Sequence, residues 1–390
     1  MIQNWMSPES ALVILTAIVC LTGFVYVVQL VRFRIGLTRL QPGSSDRKPS
    51  VAVIIAARNE EDEIGACLEC LCAQDYPHDL FTVYVVDDGS TDATADIVAE
   101  AAERDARIRL LTITETPPGI APKKHAVSTG IAESDSEIII LTDADSRAGP
   151  SWIGSMVNYF TPEVGMVLGF TGYRKTDRIN RLFLGMQTMD FFSLNFVSAG
   201  AVGAGQAFTS NANNLAIRRE VYGEVDGYGS LGRYISGDDD LLLQRVADET
   251  RWGVRFAIEQ SSYVITRPAA GVGEFFRQRM RWASKSATYN KPVLLFMVST
   301  FIFFTALPIL LVCSLLGPPS IFLPLSIRSV KFLSDLMVMR KGYRLFDQQW
   351  HWGHFLLTEL LHIPYIVTIA IGSRVITHEW RGRRSGSKVA

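Results

Sequence analysis

Hydrophobic runs bracket a polar, patterned middle. Residues 11–31 form an uncharged apolar run of 21 residues. At about 1.5 Å per residue such a helix spans roughly 30 Å, the hydrocarbon thickness of a bilayer. No Lys or Arg precedes the run, whereas Arg32, Arg34 and Arg39 follow it. A cleaved leader has the opposite polarity, so the run reads as a retained anchor. The positive-inside rule then places the N-terminus outside and the residues after the run in the cytoplasm. Residues 293–316 are a second uncharged run with Pro308 inside it, which membrane helices tolerate. Two weaker stretches follow. Residues 321–338 carry Arg328, Lys331 and Asp335 on one helical face, and residues 355–376 carry Glu359, His362 and Arg374. Each can span while facing protein, or lie along the interface. Arg340, Lys341 and Arg344 look cytoplasmic, and so do Arg381, Arg383, Arg384 and Lys388. Both groups cannot be inside if exactly one span separates them, so one of the last two stretches is expected to be interfacial or re-entrant.

Between the runs the period changes. Residues 50–57, 81–86, 108–113 and 137–142 are short apolar segments with the look of buried strands. Helical patterns over 62–74, 91–103 and 124–132 separate them. Alternating strand and helix predicts an α/β domain with a largely parallel sheet and helices on both faces. In such sheets ligands bind beyond the carboxyl ends of the strands. Two acidic clusters stand there: Asp87-Asp88 after the second strand and Asp143-Ala144-Asp145 after the fourth.

Composition narrows the function by exclusion. The 38 basic and 39 acidic residues nearly balance, so there is no basic excess to bind nucleic acid. Cys67, Cys70 and Cys72 cluster, but no Cys/His pair of suitable spacing follows to complete a zinc site. They read as helix cysteines in a reducing compartment. The turn after the first strand is Ala57-Arg58-Asn59-Glu60, without the glycines of a dinucleotide fold, and no Walker A sequence occurs. Phosphates must therefore be handled otherwise. Two carboxylates at D-x-D spacing just past a strand can face one hard divalent cation, Mg²⁺ or Mn²⁺, that keeps positions for phosphate oxygens.

Five motifs occur in order: Ala57-Arg-Asn-Glu60, Val86-Asp-Asp-Gly-Ser-Thr-Asp92, Asp143-Ala-Asp145, Gly237-Asp-Asp-Asp240 and Gln278-Arg-Met-Arg-Trp282. Together they resemble the motif series of membrane-bound family 2 glycosyltransferases, the GT-A group that contains cellulose, chitin and hyaluronan synthases; ceramide glucosyltransferases show a similar series. The resemblance covers residues 50 to 290. It implies a GT-A nucleotide-sugar-binding fold with a mixed, largely parallel sheet and transmembrane helices at both ends. It also implies a nucleotide-diphosphate sugar donor, a divalent metal and inversion at the anomeric carbon.

Carried over residue by residue, the resemblance gives Glu60, Arg58, Asp87 and Asp88 contacts to the nucleoside. Lys123, Asp143 and Arg281 fall near the diphosphate, and Asp143 and Asp145 at the metal. Asp239 matches the acid that takes the acceptor's proton, with Asp238 where the family often has Glu. Gln278, Trp282 and Asn213 fall on the acceptor side. A positioned carboxylate is what an attacking hydroxyl needs. Three adjacent acids repel one another, so at least one is expected to hold its proton more tightly. Asp240 reads as the acid that caps a helix.

The expected organisation is an anchor and linker over 1–47, a cytoplasmic catalytic domain over 48–290 and a membrane region over 291–390. The expected activity is transfer of few sugars to a lipid or glycan hydroxyl at a multi-pass cell membrane protein. A processive polysaccharide synthase is the alternative, because Gln-x-x-Arg-Trp is typical of processive members. A non-catalytic nucleotide-sugar-binding subunit is the third reading, which loss of Asp145, Asp239 or Trp282 would favour; all three are present.

Overall fold

The computed structural model describes residues 7–317, 320–375, 379–380 and 383–384. The chain begins with helix α1 (Pro8–Arg39), capped by Ser7, whose hydroxyl accepts from the Ser10 N–H at 3.1 Å. The α/β part follows: β1 (Val51–Ala57), α2 (Ile64–Cys72), β2 (Phe81–Asp87), α3 (Thr94–Arg104), β3 (Ile108–Thr112), α4 (Pro122–Ala132), β4 (Ile138–Asp143), β5 (Arg147–Ala148) and α5 (Trp152–Val157). Next come β6 (Val164–Gly169), β7 (Thr171–Tyr173), α6 (Arg181–Gly203), β8 (Leu215–Arg218), α7 (Arg219–Glu224), α8 (Asp240–Glu249), β9 (Gly253–Ala257) and β10 (Val264–Thr266). Helices α9 (Val272–Ala283), α10 (Lys291–Leu316), α11 (Phe322–Leu345) and α12 (Trp352–Val375) close the chain, with a short β11–β12 pair, Glu379–Trp380 and Arg383–Arg384.

The main sheet runs β3-β2-β1-β4-β8-β6-β9. Strands β1 to β4 are parallel; β8 is antiparallel to both neighbours, and β6 and β9 are parallel to each other. The expected parallel sheet is therefore present and is extended by a mixed half. Every residue of β1 is buried because helices cover both sheet faces. Val51, Val53 and Ile55 pack on the side of α2 and α5, while Ala52, Ile54 and Ala56 face the opposite core. That second core runs without a break into Phe33 of α1, Phe196 of α6 and Phe303 of α10. The α/β part and the membrane helices thus share one core.

Helices α1, α10 and α12 are each long and apolar enough to cross a membrane. Helix α1 meets α6 backbone to backbone. A Cβ on Gly36 would lie 1.9 Å from the Gly200 carbonyl oxygen, and one on Gly203 would lie 2.1 Å from that of Gly36. Small residues permit this approach where no hydrophobic drive separates helix from lipid.

Helix α11 carries the charges that weakened its sequence pattern, and they turn inward. Lys331 is fully buried. Its Nζ lies 2.6 Å from Glu359 Oε1, 2.8 Å from Asp335 Oδ2 and 2.8 Å from His362 Nδ1, and the Tyr26 hydroxyl donates to Asp335 at 2.6 Å. Asp335, Glu359 and His362 are spaced like metal ligands. The ammonium already sits where a cation would.

The ends of the last three helices show how they lie. Helix α10 starts at the α/β part, where the Asn290 N–H donates to Gln244 at 2.9 Å. Helix α11 ends there, with Gln260 donating to Asp347 at 2.8 Å and the Tyr263 hydroxyl donating to the Phe346 carbonyl at 3.3 Å. Helix α12 touches it at both ends. A Cβ on Gly185 would meet the His354 ring, and Arg374 donates to the Ser286 hydroxyl at 3.0 Å.

Candidate active site

The strand register brings the acidic clusters to one edge. Ala57 pairs with Asp87, and Ala56 with Asp143. Beyond this edge lies a cavity of about 1090 Å³. Ten of the residues read from the sequence line it: Glu60, Lys123, Asp143, Asp145, Asn213, Asp238, Asp239, Gln278, Arg281 and Trp282. Asp87, Asp88 and Arg58 are not among the lining residues. Both Asp87 carboxylate oxygens accept from the Ser90 N–H, at 3.3 and 3.2 Å. Arg58 donates to the Asp88 and Gly89 carbonyls and lies 3.9 Å from the Asp88 carboxylate. These three shape the loop at the end of β2.

Lys123, in the first turn of α4, bridges two clusters. Its Nζ lies 3.0 Å from Asp143 and 2.7 Å from Asp238. Burial by itself would lower this ammonium's pKa, but the two carboxylates hold it well above the usual lysine range. Burial would likewise raise Asp238, yet Lys123 holds it well below the usual carboxylate range. The neighbouring Lys124 plays a different part. It donates to the Leu231 and Ser236 carbonyls at 2.8 and 3.1 Å, and burial lowers it to about 8.

Gly237 has φ of 83°, a backbone that favours glycine, and it turns the chain into the three acids. The helix that follows corrects the sequence reading of its cap. The N-cap of α8 is Asp239, not Asp240: Asp239 Oδ1 accepts from the Asp240 N–H at 2.7 Å. The same oxygen lies 3.2 Å from Lys285 Nζ, and Oδ2 accepts from the Ala212 N–H at 3.1 Å. Asp239 is therefore fixed in one orientation on the cavity wall. Asp240 sits behind it, 1% exposed, bonded to Lys285 at 2.9 Å and to the Tyr289 hydroxyl. Its Oδ1 has no hydrogen-bond partner among the described residues. Burial pushes Asp240 up to about 7; Lys285 opposes the rise and the Asp239 charge adds to it. Asp240 thus holds its proton more tightly than a free carboxyl does.

Helix α9 supplies the opposite wall. Arg281 and Trp282 line the cavity, with Phe191 6.1 Å from the Trp282 ring. Arg279, not singled out in the sequence, is the buried strut of the motif. Its Nε lies 2.7 Å from Asp190, Nη1 donates to Gln278 at 2.7 Å, and its guanidinium stands 4.2 Å from the Trp282 ring centre. Asn213 accepts from the Thr171 hydroxyl at 2.9 Å, and its carbonyl accepts from Thr142 at 3.0 Å. It ties the acceptor-side loop to β4 and β7. Lys285, Asp190 and Tyr289 also went unnoticed in the sequence. Lys285 lies three residues past Trp282, the one signal that could have found it.

A divalent cation fits the donor set. Asp143 and Asp145 offer carboxylate oxygens at a strand end on the cavity wall, the hard donors that such an ion takes.

This sheet, with its acids at the strand ends, has a GT-A-like arrangement, and comparison with known proteins agrees on the fold. Residues 52–223 match the family model described as "Glycosyl transferase family 2". It is 24% identical over 239 residues to a beta-monoglucosyldiacylglycerol synthase of Synechocystis, covering 60% of this chain and 47% of that protein. It is 25% identical over 383 residues to a hyaluronan synthase of Streptococcus pyogenes, covering 91% and 87%. It spans about half the length of several curated relatives it matches. In fold it is similar to a mannosyltransferase of Pyrobaculum calidifontis solved with GDP-Man and Mn²⁺, with TM-score 0.61, 20% identity and coverage of 94% and 98%.

Proposed function

We propose that this protein transfers a glycosyl group, with inversion, from a nucleotide-diphosphate sugar to a hydroxyl of a lipid or glycan at the membrane, with few additions. The observation that carries this reading is the meeting of Asp143, Asp145, Asp239, Gln278, Arg281 and Trp282 around one cavity. Glu60 and the loop held by Arg58, Asp87 and Asp88 receive the nucleoside. Asp143 and Asp145 would hold Mg²⁺ or Mn²⁺, which when bound neutralises charge on the diphosphate. Lys123 and Arg281 face the same phosphates. The acceptor oxygen attacks the anomeric carbon from the side opposite the diphosphate. Asp239 takes its proton while the bonding electron pair leaves with the nucleotide. Gln278, Trp282 and Asn213 shape the acceptor side.

The test is a panel of labelled nucleotide sugars given to the protein in membranes. One donor is expected to label an acceptor, and no incorporation from any donor would remove the transferase reading. The hyaluronan synthase alignment over 91% of the chain favours a second reading, a processive polysaccharide synthase. A ladder or smear of long product on a gel would support it.

The boundaries proposed are an anchor over 1–47, a cytoplasmic catalytic domain over 48–290 and a membrane region over 291–390. Helices α1, α10 and α11 cross in this reading, and α12 lies along the cytoplasmic interface. Its two ends at the α/β part support this. So does its row of exposed apolar residues Trp352, Leu356 and Leu360. The arrangement resolves the charge conflict, since 340–344 and the basic tail then lie on one side. Single cysteines at Ser90, Gln349 and Ser387, in a chain freed of its five native ones, should all resist an impermeant reagent outside intact cells. Ready labelling at Ser90 would invert the orientation; labelling at Ser387 alone would make α12 a span.

A further inference from the structure

The cavity does not end at the acids. It continues between α10 and α12, where Phe296, Met297, Phe301, Ile366, Ile369 and Ala370 line it. Both helices are long and apolar enough to lie in a membrane. One continuous space therefore joins the carboxylates of the donor site to an apolar slot at membrane level. Its volume of about 1090 Å³ stands at the upper end of the ~300–1,000 Å³ usual for small-ligand sites. There is room for a donor and part of a second molecule.

From this continuity we infer that the acceptor is a hydroxyl-bearing membrane lipid, its tail in the slot between α10 and α12 and its head beside Asp239. The inference rests on the transferase reading above and chooses between the two acceptor classes that reading leaves open. The lining makes the choice. A glycan chain carries several hydroxyls per sugar, each of which needs a partner once out of water. The polar side chains that α10 and α12 give the cavity are Thr300, whose buried hydroxyl has no partner among the described residues, and Tyr365. A lipid tail asks for no polar partners and is as apolar as the residues it would replace around it. It can move from the bilayer into the slot without meeting water. The polar groups cluster instead at the mouth, where Asn213, Asp239, Gln278 and Trp282 would meet the head. In the step itself the lipid's hydroxyl oxygen bonds to the anomeric carbon and its proton passes to Asp239. The bond from that carbon to the diphosphate oxygen breaks, and the nucleoside diphosphate departs with the electron pair.

The experiment uses the full chain in phosphatidylcholine vesicles doped singly with diacylglycerol, ceramide or a polyprenol, and the donor identified by the panel. Label is followed into three fractions: organic-soluble product, long aqueous polymer and free sugar. Lipid acceptance predicts organic-soluble label that depends on one of the doped lipids. Ile366→Trp and Ala370→Trp, which fill the slot, should lower it at least tenfold. Leu295→Trp, on the exposed side of α10 and 70% exposed, should not. Ile369→Phe, a milder filling, covers the case in which a tryptophan variant fails to fold; it should lower organic product severalfold at a wild-type melting temperature. Label found only in polymer, or as free sugar with every lipid, would overturn the lipid inference and leave the transferase reading standing. Equal organic product from wild type and all slot variants would also overturn it. No labelled product or free sugar from any donor would overturn both.

Discussion

Asp145→Asn is expected to reduce transfer by about 10²–10³-fold, the usual cost of removing one preorganised group that stabilises charge at the reacting centre. EDTA should do the same to the wild type, with recovery on adding Mn²⁺ or Mg²⁺. The carboxylates of Asp143, the last residue of β4, and of Asp145 stand on the cavity wall where the proposed reaction puts the diphosphate. Asp143 also holds Lys123 at 3.0 Å, so altering it would free an ammonium and disturb Asp238 as well. Asparagine keeps the size of the side chain and removes its charge, so the melting temperature should stay within a few degrees. The measurement is turnover across a metal titration for both proteins, beside a thermal melt. Full transfer in EDTA, or by Asp145→Asn, would remove the metal from the reaction.

What could be read from the chain depended on how local each signal was. The first four strands were legible because each is a short apolar run bounded by turn residues, and β1, β2 and β4 appear within a residue of their expected limits. Their acids were legible as a site because strand ends and carboxylates coincide in sequence. The other half of the sheet was not read. Strand β8 has only four residues, Gly165 and Arg255 interrupt the apolar runs of β6 and β9, and β6 pairs with β9 across a long stretch of chain. The Arg279–Asp190 pair is likewise 89 residues apart, with nothing near Asp190 to announce it. The cap of α8 was misplaced by one residue because three identical acids offer no register; only the bond from the Asp240 N–H to Asp239 fixes it. Helix α11 looked a poor span because hydropathy counts Lys331 and Asp335 as costs. In three dimensions they pair with each other and with α12, which removes most of that cost. Helix α12 shows the reverse: its composition alone would let it cross, while its two ends hold it against the α/β part.

Asp239→Asn is expected to lower turnover by about 10² or more, the usual worth of a positioned general base. Donor affinity should stay within a few fold, since in the proposed site Glu60, Lys123 and the carboxylates at β4 hold the donor. A group needed only as the acceptor attacks acts on the transition state and not on donor binding. The asparagine's one oxygen can accept from the Ala212 N–H or from the Asp240 N–H but not both, so a thermal melt accompanies the kinetics to show that the fold is kept. Asp240→Asn should behave differently. Asp240 adjoins Asp239 and shares Lys285 with it, so its charge bears directly on the site. Below about pH 7 Asp240 holds its proton. As pH rises through 7 it ionises, which adds a negative charge beside Asp239 and Lys285, where the proposed step takes up the acceptor's proton. Wild-type turnover should therefore rise across this range. Asp240→Asn fixes the neutral state, so its profile should be flat there and lie near the wild-type low-pH level. Turnover and donor titration at several pH values for the two variants make the test. If Asp240→Asn lost 10² in turnover and Asp239→Asn did not, the proton would go to Asp240. If both retained the wild-type profile, the acids after Gly237 would have no part in the transfer.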